Sequence, residues 1–378
     1  MKKVIFIAGE PSGDAIAAKI IQHLDKNKIK IFGVGGLKMK NLGFKSIFNI
    51  EEISVMGFME VLMHLHKIIK RINQVVDFII KEKPNLIVTC DSPGFAVSVV
   101  KKLKKLNYNG KIIHVVAPTV WAYKEKRAKK FAKLFDAIYC LLPFEPQYFK
   151  KHGLKSYFVG NISIEDELFK VKNEINAKFE NKDIEVQNIV ITLGSRFMEV
   201  KRHIKIISKT MNILQNKYNI KEFIFPTLPH LQNYIQKYLE KHNKNCHYYV
   251  NSSQNAMQEA ILKCDIAIAK SGTNTLQFLS NFKPIIVYYK MNLISYYIIK
   301  MMLKIKFANL INIIAQKIVI PELIQSDFNP LNISKAVQNV VTQETQNDIA
   351  KYLLQMLPNI DIKPSLIVAE AINDLIAK

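Results

Sequence analysis

Short apolar runs typical of β-strands alternate along this chain with segments of helical periodicity, and this alternation constrains the fold more than any other feature. Two predicted helices, residues 15–24 and one that begins at Glu199, each follow such a run and a glycine turn. The pattern is typical of βαβ units, in which helices cover a parallel sheet. The predicted strands are residues 3–8, 29–34, 86–89, 112–116, 137–141, 188–193, 222–225, 266–269 and 284–288.

A polar, charged segment, residues 165–187, separates two series of these elements. A length of 378 residues also favours two domains. We therefore predict an α/β protein with two Rossmann-like domains, residues 1–164 and 165–363, that face a cleft. A C-terminal helix, residues 364–378, is expected to return to the first domain. Ligands of open α/β sheets bind beyond the carboxyl ends of the strands, so functional residues should follow the strands directly.

The chain is strongly basic, with 54 Lys and Arg against 31 Asp and Glu and a formal net charge of +23. Such an excess points to nucleic acid, an acidic membrane surface or phosphorylated substrates, although a compositional bias towards Lys, Ile and Asn explains part of it. Nucleic-acid binding requires a compact basic patch on a recognised module. The lysines are instead spread over almost every predicted helix, so we expect no nucleic-acid partner.

Cysteine and histidine spacing gives no sign of a metal site or a disulfide framework. The four cysteines are far apart and form no CxxC pair, and the nine histidines form no HxH or HExxH pattern. We therefore expect no metal and no cofactor, and a reducing, cytoplasmic location. No apolar run is long enough to span a bilayer.

Three motifs follow predicted strands in the first half. Residues 9–14, Gly-Glu-Pro-Ser-Gly-Asp, form a glycine turn before a helix, which can either hold an anionic ligand or serve only the fold. Asp91 follows the strand 86–89, where it is either a general base in the crevice or a cap of the next helix. Trp121, with Arg127 nearby, follows the strand 112–116 and either packs a ligand or fills a core.

Two motifs in the second half place small hydroxyls, glycines and backbone N–H groups between a strand and a helix. They are Gly194-Ser195-Arg196 with Glu199, and residues 270–275, Lys-Ser-Gly-Thr-Asn-Thr. Such turns can bind a diphosphate without a Walker lysine. The planar guanidinium of Arg196 is suited to neutralising a departing diphosphate.

Taken together, ordered blocks over nearly the whole chain resemble the lipid-A-disaccharide synthases, inverting glycosyltransferases of the GT-B type. The blocks at 9–14 and 54–62 are the most specific to this family. The matching blocks are residues 9–14, 33–36, 53–62, 91–93, 117–121, 142–145, 158–160, 194–196, 271–273 and 321–323.

The resemblance implies a metal-independent enzyme that joins UDP-2,3-diacylglucosamine to 2,3-diacylglucosamine 1-phosphate and releases UDP. It implies a peripheral protein on the cytoplasmic, anionic face of the inner membrane, and a homodimer is also considered. A UDP-sugar epimerase on the same two-domain architecture is the alternative.

The resemblance also implies roles for individual residues in the two halves. The first half would bind the phosphorylated acceptor through Ser12, Gly13, Trp121 and Arg127. The catalytic base would be Asp91, with Glu10 and Asp14 as the other candidates. The second half would bind the UDP-sugar through Gly194, Ser195, Arg196, Ser271, Gly272, Thr273, Gln277, Asn312 and Glu322.

The chain departs from the family pattern at two positions that bear on the site. Gly94 stands where a second Asp is expected in the Asp91 block, which leaves Asp91 as the only carboxylate there. Gln277 stands where a Glu is expected, so that hydrogen bonding to a ribose is retained and a charge is lost.

Apolar side chains recur at helical spacing over residues 55–69, and cations follow them. From periodicity alone the segment is an ordinary core-facing helix, whereas the resemblance favours a helix that lies in a lipid interface. The residues in question are Val55, Phe58, Met59, Leu62, Leu65, Lys67, Lys70 and Arg71.

Overall fold

A computed structural model describes residues 1–53, 65–174, 185–272, 274–302, 305–340 and 345–377. The chain divides into a first unit, Met1–Glu165 with Gln355–Lys378, and a second unit, Asp166–Leu354. Each unit contains a six-stranded sheet in which the paired neighbours run parallel, with helices in the connections. The predicted α/β class with parallel sheets is confirmed.

The first unit contains strands β1 to β6, paired in the order β2-β1-β3-β4-β5-β6. After β2 the chain returns across β1 to form β3, so the direction in which the sheet grows reverses between β1 and β3. The strands are β1 (Lys2–Ala8), β2 (Ile29–Val34), β3 (Leu86–Cys90), β4 (Lys111–Val115), β5 (Ala137–Cys140) and β6 (Lys155–Phe158). The helices before residue 165 are α1 (Pro11–Ile21), α2 (Leu37–Lys40), α3 (Leu65–Glu82), α4 (Pro93–Lys105), α5 (Lys126–Leu134) and α6 (Pro146–Lys150), with short 3₁₀ turns at Ile50–Glu52 and Ile162–Ile164.

The second unit contains strands β7 to β12, paired in the order β12-β11-β10-β7-β8-β9, and reverses its direction of growth between β7 and β10. Its strands are β7 (Asn188–Thr192), β8 (Glu222–Pro226), β9 (Tyr248–Asn251), β10 (Ile266–Lys270), β11 (Ile285–Tyr289) and β12 (Glu322–Ile324). The remaining helices are α7 (Glu165–Glu174), α8 (Phe197–Lys217), α9 (Pro229–His242), α10 (Ala256–Lys263), α11 (Asn274–Ser280), α12 (Leu293–Met302), α13 (Leu310–Ala315), α14 (Pro330–Val340), α15 (Thr345–Leu354) and α16 (Pro364–Ala377), the last in the first unit.

Helices bury both faces of the central strands, as expected for a parallel sheet. In β1, Val4 and Phe6 belong to one core cluster, and Ile5 and Ile7 belong to another. The first cluster includes Ile372 of α16, so the C-terminal helix completes the core of the first unit. Among the helices within the described ranges, none combines the length and the apolar character needed to cross a membrane.

The predicted strand set lacks β6, β9 and β12. All three are edge strands. β6 alternates exposed and buried residues, and β9 is buried only in its last two residues. The predicted start of the first helix at residue 15 was also wrong, because α1 begins at Pro11. Proline is well tolerated at the first helical position, so only Gly9 and Glu10 lie between β1 and α1.

Candidate functional site

The reversal points between β1 and β3 and between β7 and β10 are the places where an open α/β sheet forms a ligand crevice. In the first unit the loop after β1 carries Glu10 and the loop after β3 carries Asp91. Two glycines allow these loops to approach each other. A Cβ on Gly9 would lie 2.5 Å from Ser92 Oγ, and a Cβ on Gly13 would lie 2.6 Å from the backbone oxygen of Cys90.

Asp91 is held in a defined orientation at this first reversal point. Ser12 Oγ donates to Asp91 Oδ2 at 2.6 Å, and the Ser92 amide donates to Asp91 Oδ1 at 2.8 Å. Asp91 and Ser92 both have left-handed backbone angles, with φ of 56° and 43°. Such geometry costs free energy outside glycine and concentrates at functional sites. The capping interpretation of Asp91 was wrong, because Ser92 occupies the N-cap of α4.

Glu10 lies beside Asp91 and forms an acidic pair with it. Burial raises the pKa of Glu10 above its ordinary value, the charge of Asp91 raises it further, and a hydrogen bond with Ser92 opposes both effects. Two carboxylates that share a site favour retention of a proton by one of them. The first reversal point therefore carries two carboxyl groups, and the pKa of one of them, Glu10, is raised.

Asp14 does not belong to this pair. It is 3% exposed and accepts hydrogen bonds from the backbone amides of Gly36, Lys38 and Met39 at 2.7, 2.8 and 3.2 Å. These are the amides at the start of α2. The structure thus corrects the assignment of Asp14 to catalysis, because its carboxylate caps a helix and is shielded from solvent.

Trp121 and Arg127 follow β4, the neighbour of β3. The indole of Trp121 donates to Glu145 Oε1 at 3.1 Å, and Glu145 also accepts from the amides of Leu141 and Leu142. Burial raises the pKa of Glu145 to about 7, against these three opposing hydrogen bonds. Trp121 is thus anchored to the loop after β5. Arg127 is half-buried at the start of α5.

A cavity of about 400 Å³ lies over the second reversal point. We call it the switch-point cavity. It is lined by residues that end or follow β7, β8, β9 and β10, and six of them carry a side-chain hydroxyl or amide group. The lining residues are Thr192, Gly194, Ser195, Pro226, Thr227, Leu228, Ser253, Gln254, Ala256, Met257, Lys270, Gly272 and Asn274.

Lys270, the last residue of β10, lines this cavity, and the sequence analysis gave it no role of its own although it begins the 270–275 motif. Its Nζ lies 3.4 Å from Glu199 Oε2 and 5.3 Å from the ring centre of Tyr289. Glu199 is packed against Gly194, where a Cβ would lie 2.7 Å from its Oε2. The signal in the sequence was a lysine directly before the Ser-Gly-Thr block.

Arg196 is the N-cap residue of α8, beside Ser195. Its side chain is 65% exposed, and its Nη1 lies 3.9 Å from Glu199 Oε1. Glu199 therefore has a cation on each side, Arg196 and Lys270. The arrangement places two positive charges near the N-terminus of a long helix, which itself favours an anion.

A second cavity, of about 490 Å³, shares Lys270 with the first. We call it the aromatic cavity, because Tyr289, Tyr296 and Phe307 line it. Ser271 also lines it and donates from Oγ to the Ala308 oxygen at 3.3 Å. The predicted Ser271 and Gly272 therefore lie in different cavities, on either side of Lys270.

Asn312 and Glu322 support the loop that borders the aromatic cavity. Asn312 has no exposed surface and bonds to Val319, Ile320 and Glu322. The structure corrects its assignment as a UDP-sugar ligand, because every polar atom of its side chain has a protein partner. Glu322 lines the cavity and accepts from the amides of Ala308 and Asn309 at 2.8 and 2.7 Å.

Two further predicted nucleotide contacts are Gln277 and Thr273. Gln277 is exposed on α11 and lines neither of the two cavities. Thr273 lies outside the described residues. Within the ranges that are described, no three His, Cys, Asp or Glu side chains cluster closely enough to hold a metal ion.

The predicted membrane segment is described only from residue 65 onwards, so Val55, Phe58, Met59 and Leu62 lie outside the described residues. At the start of α3, Leu65 is 46% exposed and Lys67 and Lys70 are exposed. Arg71 instead donates from Nε to Glu52 Oε2 at 2.9 Å and stacks on Phe48. The structure thus corrects its assignment as a free cation of the membrane segment.

Comparison with solved structures supports the two-domain fold. UDP-GlcNAc 2-epimerase from Neisseria meningitidis, bound to UDP-GlcNAc, aligns with a TM-score of 0.62 at 14% identity over 98% of this chain and all of its own. Acinetobacter baumannii MurG aligns with a TM-score of 0.62 at 12% identity, over 99% and 100% of the two chains. At such identities the likeness shows the fold alone.

Sequence relatives decide the family. The family model of lipid-A-disaccharide synthetase matches residues 4–369. A lipid-A-disaccharide synthase of Rickettsia felis is 40% identical over 99% of this chain and 96% of its own length, and one of Rickettsia akari is 42% identical over 90% and 86%. The resemblance stated from the sequence is confirmed, and the epimerase alternative is not favoured. The chain belongs to the lipid-A-disaccharide synthase family.

Proposed function

We propose that this chain transfers diacylglucosamine from UDP to diacylglucosamine 1-phosphate, with the UDP bound at the second reversal point and the acceptor at the first. The activity follows from family membership. The observation that carries the division of roles is the difference in charge between the two points: a carboxylate pair in one unit and Lys270 with Arg196 in the other.

The second unit supplies what a nucleoside diphosphate requires. The Lys270 ammonium and the Arg196 guanidinium compensate the phosphate charge, and the N-terminus of α8 adds its dipole. Ser195, Thr227 and Ser253 line the same cavity and offer hydroxyls to a base or ribose. During transfer, negative charge grows on the leaving UDP, and these cations stabilise it most at that stage.

The first unit supplies the base for an inverting displacement. The acceptor hydroxyl must lose its proton as its oxygen attacks the anomeric carbon on the face opposite UDP. In this proposal Asp91 accepts the proton. Hydrogen bonds donated by Ser12 and by the Ser92 amide fix the orientation of its carboxylate. Glu10, whose pKa is raised, is the second candidate for the same role.

Arg127 is the proposed ligand of the acceptor phosphate. Its side chain is half-buried, and no hydrogen bond or ion pair engages its guanidinium among the residues that the structure describes. A half-buried cation without a counter-charge has a strong tendency to bind an anion. Trp121 lies on the same loop, and its hydrogen bond to Glu145 holds it in place. It would form one wall of the phosphate site.

Contact with an anionic membrane surface is part of the proposal. At the start of α3, Leu65 and Ile69 are 46% and 49% exposed, one helical turn apart. The exposed Lys67 and Lys70 lie in the same turn. Apolar side chains flanked by lysines suit the interface of an anionic bilayer.

The direct test mixes UDP-diacylglucosamine with diacylglucosamine 1-phosphate and detects the disaccharide phosphate by mass spectrometry, with a chelator present throughout. We expect stoichiometric disaccharide and UDP. A parallel reaction without acceptor should leave the UDP-sugar unchanged. Conversion of the UDP-sugar to an epimer, with no disaccharide when acceptor is added, would contradict the proposal.

A further inference from the structure

We propose that the aromatic cavity of the second unit binds an acyl chain of the donor substrate. This inference rests on the proposed function, because it takes the UDP of the donor to lie in the adjoining switch-point cavity. It adds a subsite for the hydrocarbon part of the same molecule.

The chemistry of the lining favours a hydrocarbon chain. A volume of about 490 Å³ is within the range of ordinary ligand sites. Six of its lining side chains are apolar or aromatic and half-buried. A hydrocarbon chain that covers their exposed part removes apolar surface from water, which is favourable. They are Tyr289, Met291, Tyr296, Ile305, Phe307 and Ile324.

The position of the cavity supplies the second argument. Lys270 lines both cavities, and Ser271 and Gly272 line one each. A ligand with its diphosphate at Lys270 therefore has a polar compartment on one side and an apolar compartment on the other. A nucleotide joined to an acylated sugar has the same order of polar and apolar parts.

Helix α12 gives the third argument, because it connects the cavity to an exposed apolar face. Tyr296 and Lys300 line the cavity. Leu293, Tyr297 and Met301, spaced four residues apart, are 66%, 61% and 82% exposed. Side chains at this spacing form one helical face. An exposed apolar face beside the cavity is where a lipid chain could pass from a bilayer into the protein.

Lysines at the same border match the charge of lipid head groups. Lys300 and Lys306 line the cavity and are exposed, and Lys300 lies 5.6 Å from the ring centre of Tyr296. Its ammonium nitrogen lies over the ring face, and the residue remains exposed. The border therefore carries exposed cations, while Glu322, the carboxylate in the lining, is engaged by the amides of Ala308 and Asn309.

The test fills the cavity from its exposed side with Ala308→Trp and measures binding without catalysis. Calorimetry compares UDP, UDP-glucosamine carrying two acetyl groups, and UDP-glucosamine carrying two long acyl chains. Wild-type protein should bind the long-chain donor about ten-fold or more tightly than the acetyl donor, a gain that burial of a few methylene groups supplies. Ala308→Trp should abolish most of that preference and retain the affinity for UDP.

Leu262→Trp is the matched control, because Leu262 is 81% exposed on α10 and lines neither cavity. It should keep the long-chain preference. If Ala308→Trp fails to bind UDP, the smaller Ala308→Leu replaces it and should reduce the preference by several-fold. The inference is overturned if both Ala308 variants keep the full long-chain preference, or if wild-type protein shows no such preference. These binding measurements do not depend on formation of the disaccharide, so they test the acyl-chain site separately from the proposed activity.

Discussion

The two units share a six-stranded parallel sheet and a single reversal of its direction of growth, yet the two reversal points are chemically opposite. In the first unit, Glu10 and Asp91 meet across loops held close together by Gly9 and Gly13. In the second, Lys270 and Arg196 flank Glu199 beside a cavity of about 400 Å³. The topology places a crevice in each unit, and only the side chains decide which reaction step it can serve.

The difference between the loops fits the two tasks that we propose for this architecture. In the first unit, hydrogen bonds from Ser12 and the Ser92 amide orient a carboxylate, as a general base requires. In the second unit, residues at the ends of four strands line a cavity of about 400 Å³, which is within the range of ordinary ligand sites. Acid–base chemistry needs orientation, whereas nucleotide binding needs volume and compensating charge.

The largest effect is expected at Asp91. Asp91→Asn keeps the shape and the accepting oxygen but removes the base, so turnover should fall by about 10²–10⁴-fold. Steady-state kinetics of disaccharide formation measures this. Asp77→Asn, an exposed position on α3, is the control and should be silent. Retention of most activity in Asp91→Asn would transfer the role to Glu10.

Arg196 provides the next largest effect. If it stabilises the charge on departing UDP, Arg196→Ala should lower turnover by about 10²-fold. Arg196→Lys should restore only part of this loss, because an ammonium lacks the planar fork of donors. The exposed neighbour Lys201 gives the control variant Lys201→Ala. Wild-type turnover in Arg196→Lys would contradict a role for the fork, and wild-type turnover in Arg196→Ala would contradict any role for this side chain.

A small effect on stability is expected at Glu10. Burial and the charge of Asp91 raise its pKa above 4.5 in the folded state, so its contribution to stability is lost as the pH rises through the folded pKa. Glu10→Gln removes a carboxylate that burial and the charge of Asp91 disfavour, so it should raise the melting temperature slightly at pH 7. Below pH 4 the gain should vanish. A lower melting temperature at pH 7 would argue against this acidic pair.

The sequence predicted the central strands well, because helices cover them on both faces and they read as unbroken apolar runs. It missed β6, β9 and β12, each at a sheet edge. β12 has only three residues, none of them fully buried. Short edge strands carry too weak an apolar signal to be distinguished from loops.

Candidate site residues were predicted correctly where their place after a strand determines their location. They were assigned wrongly or given no role where a hydrogen-bond or ion-pair partner elsewhere in the chain determines what the side chain does. Asp91 follows a central strand, and its place at a reversal point was predictable. Asp14 was assigned wrongly because its three amide donors belong to a helix that starts more than twenty residues later. Asn312 was misassigned because its partners, Val319, Ile320 and Glu322, lie just before β12 or at its start and cannot be recognised from the sequence pattern. Lys270 was given no role because its partner Glu199 lies in another element.

The central claim is that nucleotide binding and proton transfer belong to different units, and titration of UDP into two variants tests it most directly. Loss of one charge-assisted contact should weaken UDP binding to Lys270→Gln by about ten-fold or more. Asp91→Asn and the exposed control Lys237→Gln should bind UDP as wild type does. The account is contradicted if Lys270→Gln binds UDP normally while Asp91→Asn loses it.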